Sequence, residues 1–210
     1  MNIGVIGSGK MGSGLGRIWA EKGHQITFSF SRNPDKLEAL AASIREARSG
    51  TPAEAVKEAD AILLAVGWAA VKGALELSGP MAGRILIDCT NPLNADASSL
   101  VVGHTTSGAE EIAKLAPGAK VVKAFNTAFA EVYHSDSRLF GSRRATMFYC
   151  GDDADAKAVV SKLIIEAGFS PVDAGPLKSA RYLEALAMLM IQLGHRQGMG
   201  TDIALSLMQR

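Results

Sequence analysis

Met1-Asn2-Ile3-Gly4-Val5-Ile6-Gly7-Ser8-Gly9-Lys10-Met11-Gly12-Ser13-Gly14-Leu15-Gly16 is the stretch on which the fold turns. Residues 2–6 read as a short apolar strand, and Gly7-Ser8-Gly9-Lys10-Met11-Gly12 then fits the pattern G-x-G-x-x-G. Residues 10–22 carry Met11, Leu15, Ile18 and Trp19 on one helical side, and Gly23-His24 closes that helix. The glycine spacing alone is weak. A strand directly before it, a helix directly after it and a second strand at 25–30 supply the context it requires. Gly7 then makes the tight turn, Gly9 lets a pyrophosphate approach the backbone, and Gly12 lets the helix lie close to the strand. The start of the helix offers the anion unpaired N–H groups and the positive end of its dipole. The bland reading is a glycine-rich turn without a ligand. Glycines at a helix opening cost about 1 kcal/mol each relative to Ala, which weighs against it.

Working outward, strand and helix alternate. Asn33-Pro34 starts a helix that is expected to run to about 47, and Thr51-Pro52-Ala53-Glu54 is a capping box opening a short one. Further strands are read at 60–66, 85–88, 119–124, 145–150 and 169–173. Ser107-Gly108-Ala109-Glu110 is a second capping box, and Asp152 is expected to cap a helix over 153–167. The central strands are continuous apolar runs, as in a parallel sheet covered on both faces. The fold class is therefore α/β: a doubly wound, mostly parallel sheet of the dinucleotide-binding Rossmann kind. It is expected to fill residues 1–175, with residues 176–210 as a C-terminal helical extension. A helix from 176 to about 197 carries Leu183, Leu186, Ala187, Met190, Ile191 and Leu193. So apolar a helix needs cover, either from its own sheet or from a second subunit. A homodimer is expected, and Met190 is the residue to test if that face is buried between subunits.

Composition narrows the classes. The chain has 210 residues, 48% hydrophobic and 20% charged, which fits a globular domain and not a disordered one. Lys plus Arg number 22 and Asp plus Glu 21, so a net charge of +1 gives no broad field to attract nucleic acid or an anionic membrane. Two cysteines, Cys89 and Cys150, make neither a disulfide framework nor a zinc spacing. No apolar run approaches a membrane span and no charged n-region opens the sequence, so the expected location is the cytoplasm. No metal site is read.

The second strand decides which nucleotide fits. An NAD-specific domain places a carboxylate near its end to hold the ribose hydroxyls. Here Gln25-Ile26-Thr27-Phe28-Ser29-Phe30 runs into Ser31-Arg32-Asn33, with Lys36 nearby. A hydroxyl, a guanidinium and an ammonium suit a 2′-phosphate, which a carboxylate would repel. NADP(H) is favoured over NAD(H). Arg32 could be an ordinary turn charge, but its place directly after the strand counts against that.

Ligands of such folds lie beyond the carboxyl ends of the strands. Val66-Gly67-Trp68, Asp88-Cys89-Thr90-Asn91-Pro92 and Ala124-Phe125-Asn126-Thr127 stand there and should surround a nicotinamide. They are rich in amides and hydroxyls and poor in acid–base pairs, so no catalytic residue is assigned. Hydride transfer between two cofactors needs alignment more than a strong base, whereas a carbonyl substrate would want a proton donor. Lys123 lies inside a strand. His104 and His134 read as surface groups and Cys89 as a buried strand-end thiol. Trp68 fits a ring cover or a core position equally.

The stretch Met1–Gly12, with Ser31-Arg32, Asp88-Cys89-Thr90-Asn91-Pro92, Val121-Val122-Lys123-Ala124-Phe125-Asn126-Thr127 and Pro171-Val172-Asp173-Ala174-Gly175-Pro176-Leu177, resembles the deazaflavin-dependent NADP reductase family. It is also similar to the NADPH oxidoreductase domain of the STEAP ferric reductases. The resemblance implies hydride transfer between NADPH and the C5 of a flavin-like ring, with coenzyme F-420 or a flavin as second substrate. It implies that Ser8, Gly9, Lys10, Met11 and Gly12 hold the pyrophosphate, and that Ser31 and Arg32 hold the 2′-phosphate. Val66, Asn91, Ala124 and Asn126 would lie around the nicotinamide and its ribose. It further implies a dimer formed through C-terminal helices. A reductase of a small carbonyl or imine, and a nucleotide sensor without turnover, are the competing functions.

Overall fold

The computed structural model describes residues 1–210. The chain runs β1 (Asn2–Ile6), α1 (Lys10–Glu21), β2 (Gln25–Ser29), α2 (Pro34–Ala42), β3 (Ala47–Ser49), α3 (Pro52–Lys57) and β4 (Ala61–Leu64). It continues through α4 (Val71–Ser78), β5 (Ile85–Asp88), α5 (Gly108–Leu115), β6 (Lys120–Lys123) and the small hairpin β7 (Leu139–Phe140) and β8 (Arg143–Arg144). It ends with β9 (Thr146–Gly151), α6 (Ala154–Glu166), β10 (Ser170–Asp173) and α7 (Ala180–Ile191).

One eight-stranded sheet has the order β10-β9-β6-β5-β4-β1-β2-β3. Strands β1 to β6 are mutually parallel, β9 joins β6 antiparallel, and β10 is parallel to β9. Successive strand residues face opposite sides. Ile3, Val5 and Leu63 meet α1, α2 and α6 on one face, while Ile6, Ile62 and Leu64 meet α3, α4, α5 and α7 on the other. Two cores therefore sandwich the sheet, which is why its strands are apolar throughout. Trp19 is fully buried on α1 and its indole N–H donates to the carbonyl of Leu163 on α6 at 3.1 Å. Truncating it to Ala would cost about 3–5 kcal/mol.

The doubly wound sheet and the helical C-terminal extension agree with the sequence. Several local expectations change. The second helix stops at Ala42 instead of reaching about 47, and Ala47–Ser49 forms an edge strand on β2, with Ile26 opposite Ala47. Its hydrogen bonds come from a distant strand, which local propensity does not report. Asp153, not Asp152, caps α6, accepting from the N–H of Ala156 at 2.8 Å. Asp152 accepts instead from the N–H of Leu177 at 2.9 Å, at the short 3-10 turn Leu177–Ser179. The Thr51–Glu54 capping box forms in both directions. That of Ser107 forms in one only: Ser107 accepts from the N–H of Glu110, while the Glu110 carboxylate turns to Arg181.

The expected single helix after 176 is a 3-10 turn, then α7, then a π turn at Gln192–Arg196. Residues beyond it return to the sheet, where the N–H of Thr146 donates to the carbonyl of Leu205 at 2.8 Å. Met190 points into the chain's own core at 4% exposure, while Tyr182 at 74% and Leu189 at 52% face outward. The outward face of α7 is thus Tyr182 and Leu189, and not Met190. No helix is long and apolar enough to cross a membrane.

Candidate dinucleotide site

The glycine loop lies between β1 and α1. Gly7 takes φ +108°, and a Cβ there would come within 2.3 Å of the Ala65 carbonyl oxygen, so only glycine fits. A Cβ at Gly12 would lie 1.9 Å from the Gly7 carbonyl oxygen, which is the close helix–strand approach read from the sequence. Gly9 differs from both. It caps α1 with φ −70°, and a Cβ there would meet nothing within 4 Å. Neither backbone nor packing asks for glycine at that point; the open space lies outside the chain. No side chain caps α1 and no acid stands in its first turn, so the N–H groups at its start remain free for an anion. The residues present fit a pyrophosphate.

The chain after β6 braces this loop. A 3-10 turn at Ala130–His134 packs on α1, where Gly14 admits it: a Cβ at Gly14 would lie 2.8 Å from the Cβ of Tyr133. His134 Nε2 lies 2.8 Å from the carbonyl oxygen of Lys10, so this histidine holds loop backbone. Lys10 Nζ reaches Glu131 at 2.8 Å, and that hydrogen bond holds the Glu131 carboxyl below the usual carboxylate range. Ser8 is half-buried and Lys10 exposed.

At the end of β2 the backbone turns through Phe30, with φ +57°, a conformation non-glycine residues adopt sparingly. Ser31 then closes a local turn, its hydroxyl donating to the Asn33 carbonyl at 2.9 Å. Asn33 caps α2 by accepting from the N–H of Lys36 at 3.0 Å. The side chains of Arg32 and Lys36 are exposed and enter no ion pair or hydrogen bond within the chain. Two free cations and a hydroxyl therefore stand one strand away from the glycine loop.

The ends of β4, β5 and β6 supply the rest. Val66 lies beside Gly7, Gly67 is exposed, and Trp68 begins a 3-10 turn near Gly108, away from the cavity described next. Met11, Cys89, Asn91, Phe125, Asn126, Ala187 and Met190 are among the residues around a cavity of about 180 Å³. Phe125 has φ +66° and is fixed by Trp19 and Tyr133 at centroid distances of 5.6 and 6.3 Å. Asn91 donates to the Asn126 carbonyl at 3.1 Å, and Asn126 donates to Asn91 Oδ1 at 3.0 Å and to the Leu183 carbonyl at 3.1 Å. Asn126 Oδ1 is buried and has no partner. Ala124 is fully buried, and the cavity wall passes from Cys89 and Asn91 to Phe125 without it. The Cys89 thiol donates to the Leu64 carbonyl at 3.2 Å, and burial pushes its pKa up to about 12. It stays protonated at neutral pH.

Beneath the cavity lies a group that sequence reading did not assemble. Lys123 and Asp88, both 0% exposed, and Glu184 on α7 form a buried charge cluster. Burial opposes the Lys123 charge, but Asp88 and Glu184 together hold its pKa above normal. Glu184 also accepts from the N–H groups of Gly108 and Ala109 at 2.8 and 3.1 Å, at the start of α5. The only local signal was a lysine inside an apolar strand; its partners come from elements far away in sequence. His104 is exposed. A wider recess of about 400 Å³ lies elsewhere, over residues such as Asn2, Gln25, Arg48 and Glu58. Its charged groups already pair with neighbours, Arg48 with Glu58 among them. No cluster of three metal-ligating side chains occurs.

A doubly wound sheet carrying this glycine loop is a dinucleotide-binding Rossmann fold, and the proteins it is similar to are NADP(H)-dependent oxidoreductases. More particularly, residues 2–92 match the family described as NADP oxidoreductase coenzyme F420-dependent. The F420-dependent NADP reductase of Methanothermobacter marburgensis is 28% identical, with 92% of each chain covered. The crystal structure of a putative F420-dependent NADP reductase from Arthrobacter sp. FB24 superposes with a TM-score of 0.89 at 28% identity, covering 100% of both chains. The metalloreductase STEAP3 of Rattus norvegicus is 33% identical over 90% of this chain. The chain spans 37% of the length of that relative.

Proposed function

We propose that this chain transfers a hydride between NADP(H) and a deazaflavin or flavin-like coenzyme, F-420 or a flavin. The observation that supports it most is the open-sided helix start at Gly9, one strand away from an Arg32 that has no partner in the protein. The N–H groups following Gly7, Ser8 and Gly9, at Lys10, Met11 and Gly12, would hold the pyrophosphate. Ser31, Arg32 and Lys36 would hold the 2′-phosphate, with the guanidinium as a bidentate donor. Val66, Gly67, Asn91 and Asn126 would flank the nicotinamide and its ribose, with Ala124 setting the backbone behind them.

NADPH, when bound, supplies a hydride from its dihydronicotinamide ring. Met11, Phe125, Ala187 and Met190 would exclude water from the cavity, and the amides of Asn91 and Asn126 would orient what lies in it. Among the residues of its wall, Cys89 alone is titratable, and its thiol is not acidic enough to serve as a proton donor. This favours an acceptor that needs alignment and no protein acid, a ring cofactor over a carbonyl or imine. We further propose residues 1–175 as the nucleotide-binding domain. The extension at 176–210 would join two copies through the outward face of α7.

Anaerobic mixing of the protein with NADPH and the deazaflavin coenzyme, followed at the deazaflavin absorbance band, tests the reading. Bleaching with NADPH and not with NADH supports it. Tight NADPH binding without bleaching of deazaflavin, FMN or FAD would move the function to another acceptor or to sensing.

A further inference from the structure

Lys123 Nζ has three acceptors: Asp88 Oδ2 at 2.9 Å, Glu184 Oε1 at 2.9 Å and the Thr90 carbonyl at 2.5 Å. An ammonium has three hydrogens, so its donor capacity is filled. The two hydrogens of the Asn126 amide go to Asn91 Oδ1 and the Leu183 carbonyl. Asn91 follows Thr90 in the chain and Leu183 precedes Glu184. Each acceptor of the Asn126 amide is therefore the chain neighbour of an acceptor of Lys123. Flipping the amide would set its oxygen against two other oxygens, so Oδ1 has one orientation. It stays buried and without a protein partner, on a residue of the 180 Å³ cavity wall.

The cluster is a costly way to fill a core. Two carboxylates and one ammonium leave an excess negative charge, offset by the N–H groups of Gly108 and Ala109 at the start of α5. Apolar residues of similar volume are often as stable as a buried ion cluster. What the ions add here is direction, since they tie β5, β6, α5 and α7 together at one point.

We infer that Lys123 and Glu184 are positioning residues that fix the Asn126 side chain, so that its Oδ1 accepts a hydrogen bond from an N–H or O–H donor of the bound ligand. The identity of that donor, the nucleotide's carboxamide or ribose end, rests on the function proposed above. The fixed orientation of the amide does not.

The variant for the test is Glu184→Gln. It keeps size and an acceptor for α5, and Lys123 retains Asp88. Two readouts are used. In protein without nucleotide, NMR follows solvent exchange of the Asn126 side-chain amide protons. Exchange should be slow in the wild type and about tenfold or more faster in the variant; unchanged exchange overturns the proposal. Calorimetry then compares NADP+ with 2′,5′-ADP, which carries the phosphate end and no nicotinamide. NADP+ should bind roughly 3- to 30-fold more weakly to the variant, with 2′,5′-ADP unaffected. Equal losses for both would make Glu184 merely structural and overturn the proposal. Asn126→Ala should reproduce the loss for NADP+, and the double variant should add nothing; additive losses count against it. Glu184→Asp is the reserve variant, under the same readouts, if Glu184→Gln does not fold. If the wild type binds neither nucleotide, the proposed function falls, and amide exchange alone decides the positioning.

Discussion

His134 Nε2 lies 2.8 Å from the carbonyl oxygen of Lys10, so a residue that follows β6 holds the first turn of α1. The contact couples the two walls of the groove, one on the glycine loop and one beside the cavity. His134→Ala removes it and leaves the packing of Tyr133 on Gly14. NADPH affinity should fall roughly two- to tenfold, the scale of one hydrogen bond, with little change in melting temperature. Titration calorimetry with parallel thermal melts checks this. Unchanged affinity would mean that packing alone sets the loop.

Arg32 is free of partners in the chain, so replacing it disturbs no contact of the fold. Arg32→Ala should weaken NADPH binding by about 1.5–3 kcal/mol and leave NADH nearly unchanged. Equal losses for both nucleotides would remove the 2′-phosphate assignment.

Gly9 and Gly12 should respond differently to a side chain. A Cβ at Gly12 meets a backbone oxygen at 1.9 Å, so Gly12→Ala should destabilise the protein itself. Gly9→Val meets open space and should melt as the wild type does while binding neither NADPH nor NADH. Retained binding in that variant would place the pyrophosphate elsewhere.

Arg181 on α7 donates to both carboxylate oxygens of Glu110 on α5, at 2.8 and 2.6 Å. The hydrogen bonds from Arg181 hold the Glu110 carboxyl below its ordinary value of 4.5. A carboxyl with a lowered folded pKa binds fewer protons folded than unfolded. Its contribution is complete above the ordinary value and disappears as pH falls through the lowered one. Arg181→Met should therefore lower the urea midpoint at pH 7, and the gap to the wild type should narrow toward pH 3. A gap independent of pH would show that the arginine acts by packing alone.

Tyr182 and Leu189 face outward on α7, one end of the proposed contact between two copies. Leu189→Glu should give a monomer by light scattering while keeping the melting temperature of the isolated subunit. A dimer mass in the variant would exclude this face. Met190→Asp does not test the contact, because Met190 lies inside its own subunit.

Much of this was legible because its causes are local. The glycine loop, the Asn33 cap and the Thr51–Glu54 box are set by residues within a few positions of one another, and each formed as read. What escaped was set at a distance. β3 exists because β2 offers it hydrogen bonds, and Asp152 leaves α6 because Leu177 needs an acceptor. Glu110 accepts from the Ser107 hydroxyl and from Arg181 but not from the Ser107 N–H, and the next two N–H groups of α5 go to Glu184. Glu184 reads locally as one polar residue in an apolar helix, and nothing near it in sequence names Lys123.

The isolation of Arg32 has a consequence for how the molecule can be altered. The end of the groove that would choose between phosphorylated and plain ribose hangs on a surface turn, untied to the buried ions at the other end. Preference for one nucleotide can therefore be rewritten there, for example by Arg32→Asp, without touching the foundations of the fold. The opposite end has less freedom, because the Asn126 amide is bonded to Asn91 and to the α7 backbone at Leu183, beside ions that join two helices and two strands. Selection, natural or in the laboratory, meets a soft dial at one end of the groove and a welded joint at the other.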